Sequence, residues 1–409
     1  MTKNDDKRIP ALRFKGFNDD WAQRKLGDYI TVNKIKNKEN NHFIPYSISN
    51  KWGFIPQEKQ FGEGNTYSKT NKATNYIVEP NTFAYNPARI NVGSIAYQNN
   101  QFPVIVSSLY EIFKAKKNLN DEFLMNWFKT EKFTWQIQKL QEGGVRQYFF
   151  IDKMQESRIT IPFISEQEEI SKTLNQISNL IKLQQRKTEQ LKLLKKAMLQ
   201  KGFTNKSAPT LRFKGFSKAW TEYPLGNLGK ACSGYGFPNS EQGGNKGIPF
   251  YKVSDMNLAG NEDEMIYANN YVTDAQIDRN NWKPIVDVPA IFFAKVGAAV
   301  LLNRKRLCKR PFLLDNNTMA YSLNKNILST QFTKSLFETI NLPSFIQVGA
   351  LPSYNTNDIE SIKVKIPKID EQEKIGILLK KIERLITRQQ SKIKKLHSTK
   401  QFLLQNMFI

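Results

Sequence analysis

Side chains that could carry catalysis are few and scattered. The chain has two histidines, His42 and His397, and two cysteines, Cys232 and Cys308. They lie far apart in sequence and lack the short paired spacings of a zinc site, so no metal is expected. No phosphate-cradling GxxxxGK[ST] loop occurs. Gly243-Gly244-Asn245-Lys246-Gly247 reads as a glycine turn, and Gly234-Tyr235-Gly236 as a lone tight turn. The carboxylates form no pair or triad of the kind that holds nuclease metals. His397 falls inside a long helical stretch, where a solvated or capping role fits it better than catalysis. The expectation is a chain with no catalytic centre and no cofactor of its own.

Residues suited to touching a polyanion are better supplied. There are 61 Lys and Arg against 37 Asp and Glu, a net charge of +24. Nucleic acid is therefore the first partner to consider, with an anionic membrane surface as the competitor. The most apolar run, Pro289 to Asn303, is broken by Lys295 and falls short of the roughly 20 residues of a spanning helix. It reads as buried strands at Ile291 to Ala294 and Ala298 to Leu302. Arg304-Lys305-Arg306, with Lys309 and Arg310 nearby, forms a basic cluster. Asn86 and Arg89, Arg146-Gln147-Tyr148, Lys252 with Asn257, and Tyr354-Asn355 fall on expected loops. Arg pairs with guanine edges and Asn or Gln with adenine, so these are candidate DNA contacts. A solvated loop is the alternative for each. Asn86-Pro87-Ala88 shares its first two residues with the Asn-Pro-Pro-aromatic motif of adenine methyltransferases. It lacks the second proline and the aromatic that would stack on a flipped base.

Two repeats position these loops. Residues 161–200 and 366–405 align without a gap, sharing Ile-Pro, Glu-Gln-Glu and a series of apolar positions. Ser165 with Glu168, and Asp370 with Glu373, fit a capping box that opens a helix of about 35 residues in each copy. At 1.5 Å per residue that is roughly 50 Å. Apolar spacings of three and four mark a coiled-coil seam: Ile177, Leu180, Leu191, Leu194 and Met198 in the first copy, Ile382, Leu385, Leu396 and Leu403 in the second. Gln184 and Gln389 lie on it at matching positions and are candidates to meet and fix register; both facing solvent is the alternative. The second repeat opens each half: Leu-Arg-Phe-Lys-Gly-Phe recurs at 12–17 and 211–216, with Trp21 and Trp220 four residues after the last Phe.

Between opener and helix lie two bodies. In the first, Tyr76 to Val78, Thr82 to Tyr85, Ser94 to Tyr97 and Val104 to Val106 read as strands, and Asn120 to Leu140 as one helix capped by Asn120 or Asp121. In the second, Thr330 to Ile340 reads as a helix. Gly144 and Gly349 align at the helix offset. The expected fold class is α+β: two similar mixed α/β globular domains joined by two long helices that pair as an antiparallel coiled coil. The expected segments are 1–160, 161–205, 206–365 and 366–409. Only two cysteines and a charged, leaderless start point to the reducing cytoplasm.

The layout resembles the specificity subunit of Type I restriction-modification systems. The residues that carry it are Ile161-Pro162 with Glu166-Gln167-Glu168, the matching Ile366-Pro367 with Glu371-Gln372-Glu373, and the duplicated opener. Tyr85-Asn86-Pro87-Ala88-Arg89-Ile90 and the run Ile248 to Asn257 are similar to family segments as well. The resemblance covers essentially the whole chain. It implies two target-recognition domains, each reading one half of a split double-stranded DNA target, with the helices setting the spacer. It implies a non-catalytic subunit that binds two methyltransferase subunits, which use S-adenosylmethionine, and two restriction/motor subunits. A stand-alone nucleic-acid enzyme and a non-specific basic coiled-coil scaffold are the other readings.

Overall fold

A computed structural model of the chain describes residues 9–62, 72–143, 147–204, 206, 208–346 and 352–409. The chain folds as two compact units, residues 1–185 with 391–409, and residues 186–390. Each unit therefore holds one body together with about half of each long helix, so neither helix forms a separate segment.

The same sheet recurs in both units. In the first, a four-stranded antiparallel sheet runs in the order Ile30–Val32, Glu111–Ala115, Thr82–Tyr85, Ile95–Gln98. In the second the order is Gly229–Ser233, Thr318–Leu323, Ala290–Ala294, Lys305–Cys308. The central strands are buried on both faces, which explains their apolar sequences. Phe83 and Tyr85 point into the main core of their unit, while Ala84 joins a second cluster with Val78, Val104 and Ile112. Likewise Ile291 and Phe293 face one core and Ala290 and Phe292 another.

Strands form at 76–78, 82–85 and 104–106 with the expected bounds, and the third expected strand lies one residue later, at Ile95–Gln98. Two expectations are corrected. Ala298 to Leu302 is not a strand; Ala298–Leu301 is a short helix entered through Gly297. The expected helix at 120–140 is two helices, Asp121–Trp127 and Glu131–Leu140, because Thr130 starts a new one by accepting from the Phe133 N–H. Asn120 caps the first, accepting from the Phe123 N–H at 2.9 Å. In the second unit the helix Thr330–Thr339 is unbroken.

The long helices span Ile164–Gly202 and Ile369–Asn406. Both begin before Ser165 and Asp370, so these residues sit within the first turn and the expected capping boxes are replaced by something else. Glu166 and Glu371 turn inward and are buried. Glu166 accepts two hydrogen bonds from the Arg13 guanidinium, at 2.7 and 2.8 Å, and one from the Trp21 indole N–H at 3.2 Å. Glu371 accepts from Arg212 at 2.6 and 2.7 Å. The opener's arginine and the helix's glutamate are thus two halves of one bidentate clamp, made once per unit. The adjacent glutamine completes it. Gln167 accepts from the Asn120 N–H and donates to the Asn118 and Pro162 carbonyls; Gln372 does the same with Ser329, Ile327 and Pro367. Gly376 permits close packing here, since an added Cβ would lie 2.8 Å from the Phe332 nitrogen.

Within each unit the two helix segments run antiparallel. Ser178 meets Lys400 while Ile170 and Leu174 share a core with Met407 and Phe408. Lys195 meets Glu383 while Met198 and Gly202 face Leu378 and Leu379. The seam lies partly elsewhere than expected. Ile177, Leu191 and Leu396 are half-buried and Ile382 is buried, but Leu180 and Leu385 are 45% and 36% exposed and Leu194 is exposed too. The inward positions of the first helix are Leu174, Ile177, Ile181, Gln184, Thr188 and Leu191, a continuous three-four alternation. Leu180 satisfied the spacing locally, but only the Ile181 register continues through the polar residues. Gln184 is buried and Gln389 half-buried.

Candidate nucleic-acid interface

The central strand of each sheet delivers its chain to an exposed loop at the same place. In the first unit Thr82–Tyr85 leads into residues 86–93, which contain a short turn of helix, Ile90–Val92. Asn86 shapes this loop, its side-chain oxygen accepting from the Ala88 N–H at 3.0 Å. Arg89 is exposed. Gly93 closes the turn at φ +84°, a left-handed conformation that suits glycine. In the second unit Ala290–Ala294 leads into residues 295–304, with the helix Ala298–Leu301 in the matching place.

A later segment is pinned against each loop. The Phe149 N–H donates to the Pro87 carbonyl at 3.1 Å, which sets Gln147 and Tyr148 beside Asn86 and Arg89. The Tyr148 ring stacks on Phe150 with centroids 5.4 Å apart. Four of the expected contacts are therefore gathered on one surface; Arg146 lies outside the described residues, as do Gly144 and Gly349. Tyr354 is a correction. It occupies the position matching Phe149 and is buried, its hydroxyl donating to the Ala294 carbonyl at 2.5 Å. It anchors the segment and has no face left for a base.

The basic cluster of the second unit also divides. Lys305 donates to Asn303 and to the Ile340 carbonyl, both at 2.6 Å. Burial pushes its amine down to about 8. Arg306 donates to the Asn261 carbonyl at 2.7 Å, and burial together with Arg304 lowers its pKa. Arg306 thus holds the strand Lys305–Cys308 against the 255–267 loop, and Lys305 ties it to the chain just after the helix Thr330–Thr339. Lys309 is paired with Glu264. Arg304 remains near the surface and donates to the exposed Asn257 at 2.7 Å, which brings two expected contacts together. Lys252 is half-buried and donates to Gln242 at 3.2 Å. Its loop is rigid: Asp255 accepts from the Lys252 N–H and from Asn269, and Asn261 bonds four backbone groups.

Sequence reasoning passed over Trp52. It is 67% exposed at the tip of the hairpin Tyr46–Ser49 with Gly53–Pro56, and the Lys51 amine lies 4.8 Å from its ring centre. The hairpin adjoins the 86–93 loop, because Ser94 donates to the Ile48 carbonyl at 2.9 Å. The available signal was an aromatic at a turn, flanked by Asn50, Lys51 and Gly53.

Residues 18–193 and 217–397 match the family model described as the Type I restriction modification DNA specificity domain. The chain belongs to this family. The specificity chain carries the domain twice, one copy per structural repeat. Two curated relatives from Methanocaldococcus jannaschii are similar along their length: the Type I restriction enzyme MjaVIII specificity subunit, 23% identical over 90% of this chain and 87% of the relative, and the putative type I restriction enzyme MjaX specificity subunit, 24% identical over 90% and 88%. Among solved structures, the Type I restriction-modification S subunit from M. genitalium shares the fold, with TM-score 0.59 and 14% identity over 98% of this chain and 99% of that one. A structure reported for complex assembly and conformational transition of the type I R-M system gives TM-score 0.54 at 13% identity, covering 95% and 97%. No helix among the described residues is long and apolar enough to cross a membrane.

Proposed function

We propose that each unit reads one half of a bipartite double-stranded DNA target through the loop that follows its central strand. The observation that carries this is the pair of matched loops, 86–93 and 295–304, raised at the same end of the same sheet. The scaffold is repeated but the side chains are not: Asn86, Arg89, Gln147 and Tyr148 in one, Arg304 with Asn257 in the other. A common scaffold with different donors and acceptors is what a split, asymmetric target requires. Trp52 and Lys51 extend the first surface.

The chain performs no chemistry in this reading. It lends sequence choice to two methyltransferase subunits, which bring S-adenosylmethionine, and to two restriction/motor subunits, in the cytoplasm. The first long helix leaves Leu180, Leu183, Leu193 and Leu194 exposed, an apolar face suited to docking a partner subunit. The helices set the spacer of the bipartite target.

Adenine-methylation mapping of host DNA, after co-expression with the neighbouring methyltransferase, tests the reading. One split motif with a fixed spacer is expected, absent when this chain is omitted. Exchange of residues 206–365 should change one half of the motif only. Binding with one steep salt dependence and no sequence preference would replace the reading with a non-specific scaffold.

A further inference from the structure

At the junction of helix and body the two units differ in charge. In the second unit Lys195 of the first long helix lies 2.6 Å from Glu338 and 2.6 Å from Glu383. Glu383 also pairs with Lys334 at 2.9 Å, and Lys334 with Asp263. The charges are settled internally.

The matching residues of the first unit follow from shared contacts. Lys400 and Ser178 match Lys195 and Glu383 at the offset that aligns the long helices. Lys129 matches Glu338. Each lies nine positions after the residue, Asn120 or Ser329, whose N–H the buried glutamine accepts. Each also directly follows a phenylalanine, Phe128 or Phe337, packed on the central sheet. A Lys–Glu–Glu group in one unit is thus Lys–Lys–Ser in the other. Lys400 donates to Ser178 at 2.7 Å. Among the described residues no carboxylate lies within ion-pair distance of Lys129, Lys182 or Lys400. Lys129 is pushed down to about 8 by burial, then by Lys400 and Lys182. Lys400 is lowered by burial and Lys182. Lys129 and Lys182 stay exposed and Lys400 is half-buried, so the group is open to solvent, and an anion among them would relieve the crowding of like charge.

Lys129 and Lys400 line a cleft of about 460 Å³, bordered by the start of the helix Glu131–Leu140, with Lys132 and His397 also on its wall. The one carboxylate in the lining, Glu131, is 3.4 Å from the Gln405 amide. The volume far exceeds the roughly 30 Å³ share of one water. Convergent ammonium groups on a concave surface suit the compact charge of a phosphate.

We propose that the cleft at Lys129 and Lys400 binds a phosphate group, which supplies the charge that Glu338 and Glu383 supply in the other unit. The site is independent of which bases the units read. The source is a DNA backbone phosphate or a free phosphate, and the test separates them. The full chain is unfolded thermally in inorganic phosphate and in chloride of equal ionic strength, as wild type, as Lys129→Gln/Lys400→Gln, and as Lys129→Glu/Ser178→Glu. The last variant copies the internal arrangement of the second unit, so it is expected to fold and to melt higher than wild type in chloride.

Phosphate should raise the wild-type midpoint beyond its effect on either variant, a comparison that removes the general stabilisation phosphate gives any protein. Equal shifts in all three would overturn the proposal. If that happens while the variants lose co-purification with the methyltransferase subunit, the occupant is an acidic protein segment instead. Given the phosphate increment, DNA titration identifies the source. A salt slope reduced by about 1 in Lys129→Gln/Lys400→Gln, the share of one phosphate, assigns the site to the DNA backbone. An unchanged slope assigns it to free phosphate. The melting arm contains no DNA, so its failure is distinct from failure of the recognition reading.

Discussion

Arg13–Glu166 and Arg212–Glu371 are near-identical in the two units, whereas Lys195 and Lys400, about eight turns further along the same helices, have opposite surroundings. The difference follows from what each group touches. The clamp glutamates are buried, with almost no water left to solvate an unpaired charge. The cavity at Lys400 is open, so its partners can change from carboxylate to hydroxyl or amine without burying a bare charge.

Four measurements break or sharpen this comparison. The largest effect is expected at the clamps. Glu166→Ala or Glu371→Ala strands a guanidinium and should cost about 3–5 kcal/mol in the unit that bears it. Denaturant unfolding of the two variants should show similar losses; a large loss in one unit only would end the equivalence. Next, Lys195→Met leaves Glu338 without its cation and Glu383 with Lys334 alone, and should destabilise by about 2 kcal/mol, reduced from the fully buried case because these side chains are about a fifth to a quarter exposed. The matched Lys400→Met removes like-charge repulsion, so its effect should be near zero or slightly stabilising. Two losses of equal size would show that the lysines are interchangeable in energy.

The third concerns DNA. Arg89→Ala should weaken cognate binding by about 1–3 kcal/mol and relax one half of the methylated motif while leaving the other intact. Relaxation of both halves would contradict one unit per half-site. The smallest effect is a pH dependence. Lys305 releases its proton near 8 in the folded unit but near its ordinary 10.5 when unfolded. Between those values the unfolded chain binds more protons, so stability rises with pH. Unfolding followed from about pH 8 to 10 should show that rise, and Lys305→Met should reduce it, leaving the share that Lys129 contributes.

Much of the fold was legible because it is written twice. The repeated opener and helix exposed the two-unit layout, and alternating apolar residues located the strands at 76–78 and 82–85. The helix starts were misread because Ser165 and Glu168 satisfy a local capping pattern, while the structure uses Glu166 and Gln167 for long-range bonds instead. Leu180 was misread for a similar reason: three-four spacing admits neighbouring registers, and Ile181 is the one buried. Of the candidate DNA contacts, Asn86, Arg89, Gln147 and Tyr148 are gathered by a single backbone bond from Phe149 to Pro87. Tyr354, Lys305 and Arg306 have the right chemistry but donate inward.

The sequence alone determined the family, the duplication, the long helices and the cationic character, since these depend on periodicity, identity between repeats and net charge. Tertiary structure decided which charges are available. Whether an arginine or lysine meets a base, a carbonyl or a glutamate more than a hundred residues away depends on where the sheet ends and how the helices dock. Nothing in the local pattern around Lys129 or Lys195 states that one faces lysine and the other glutamate.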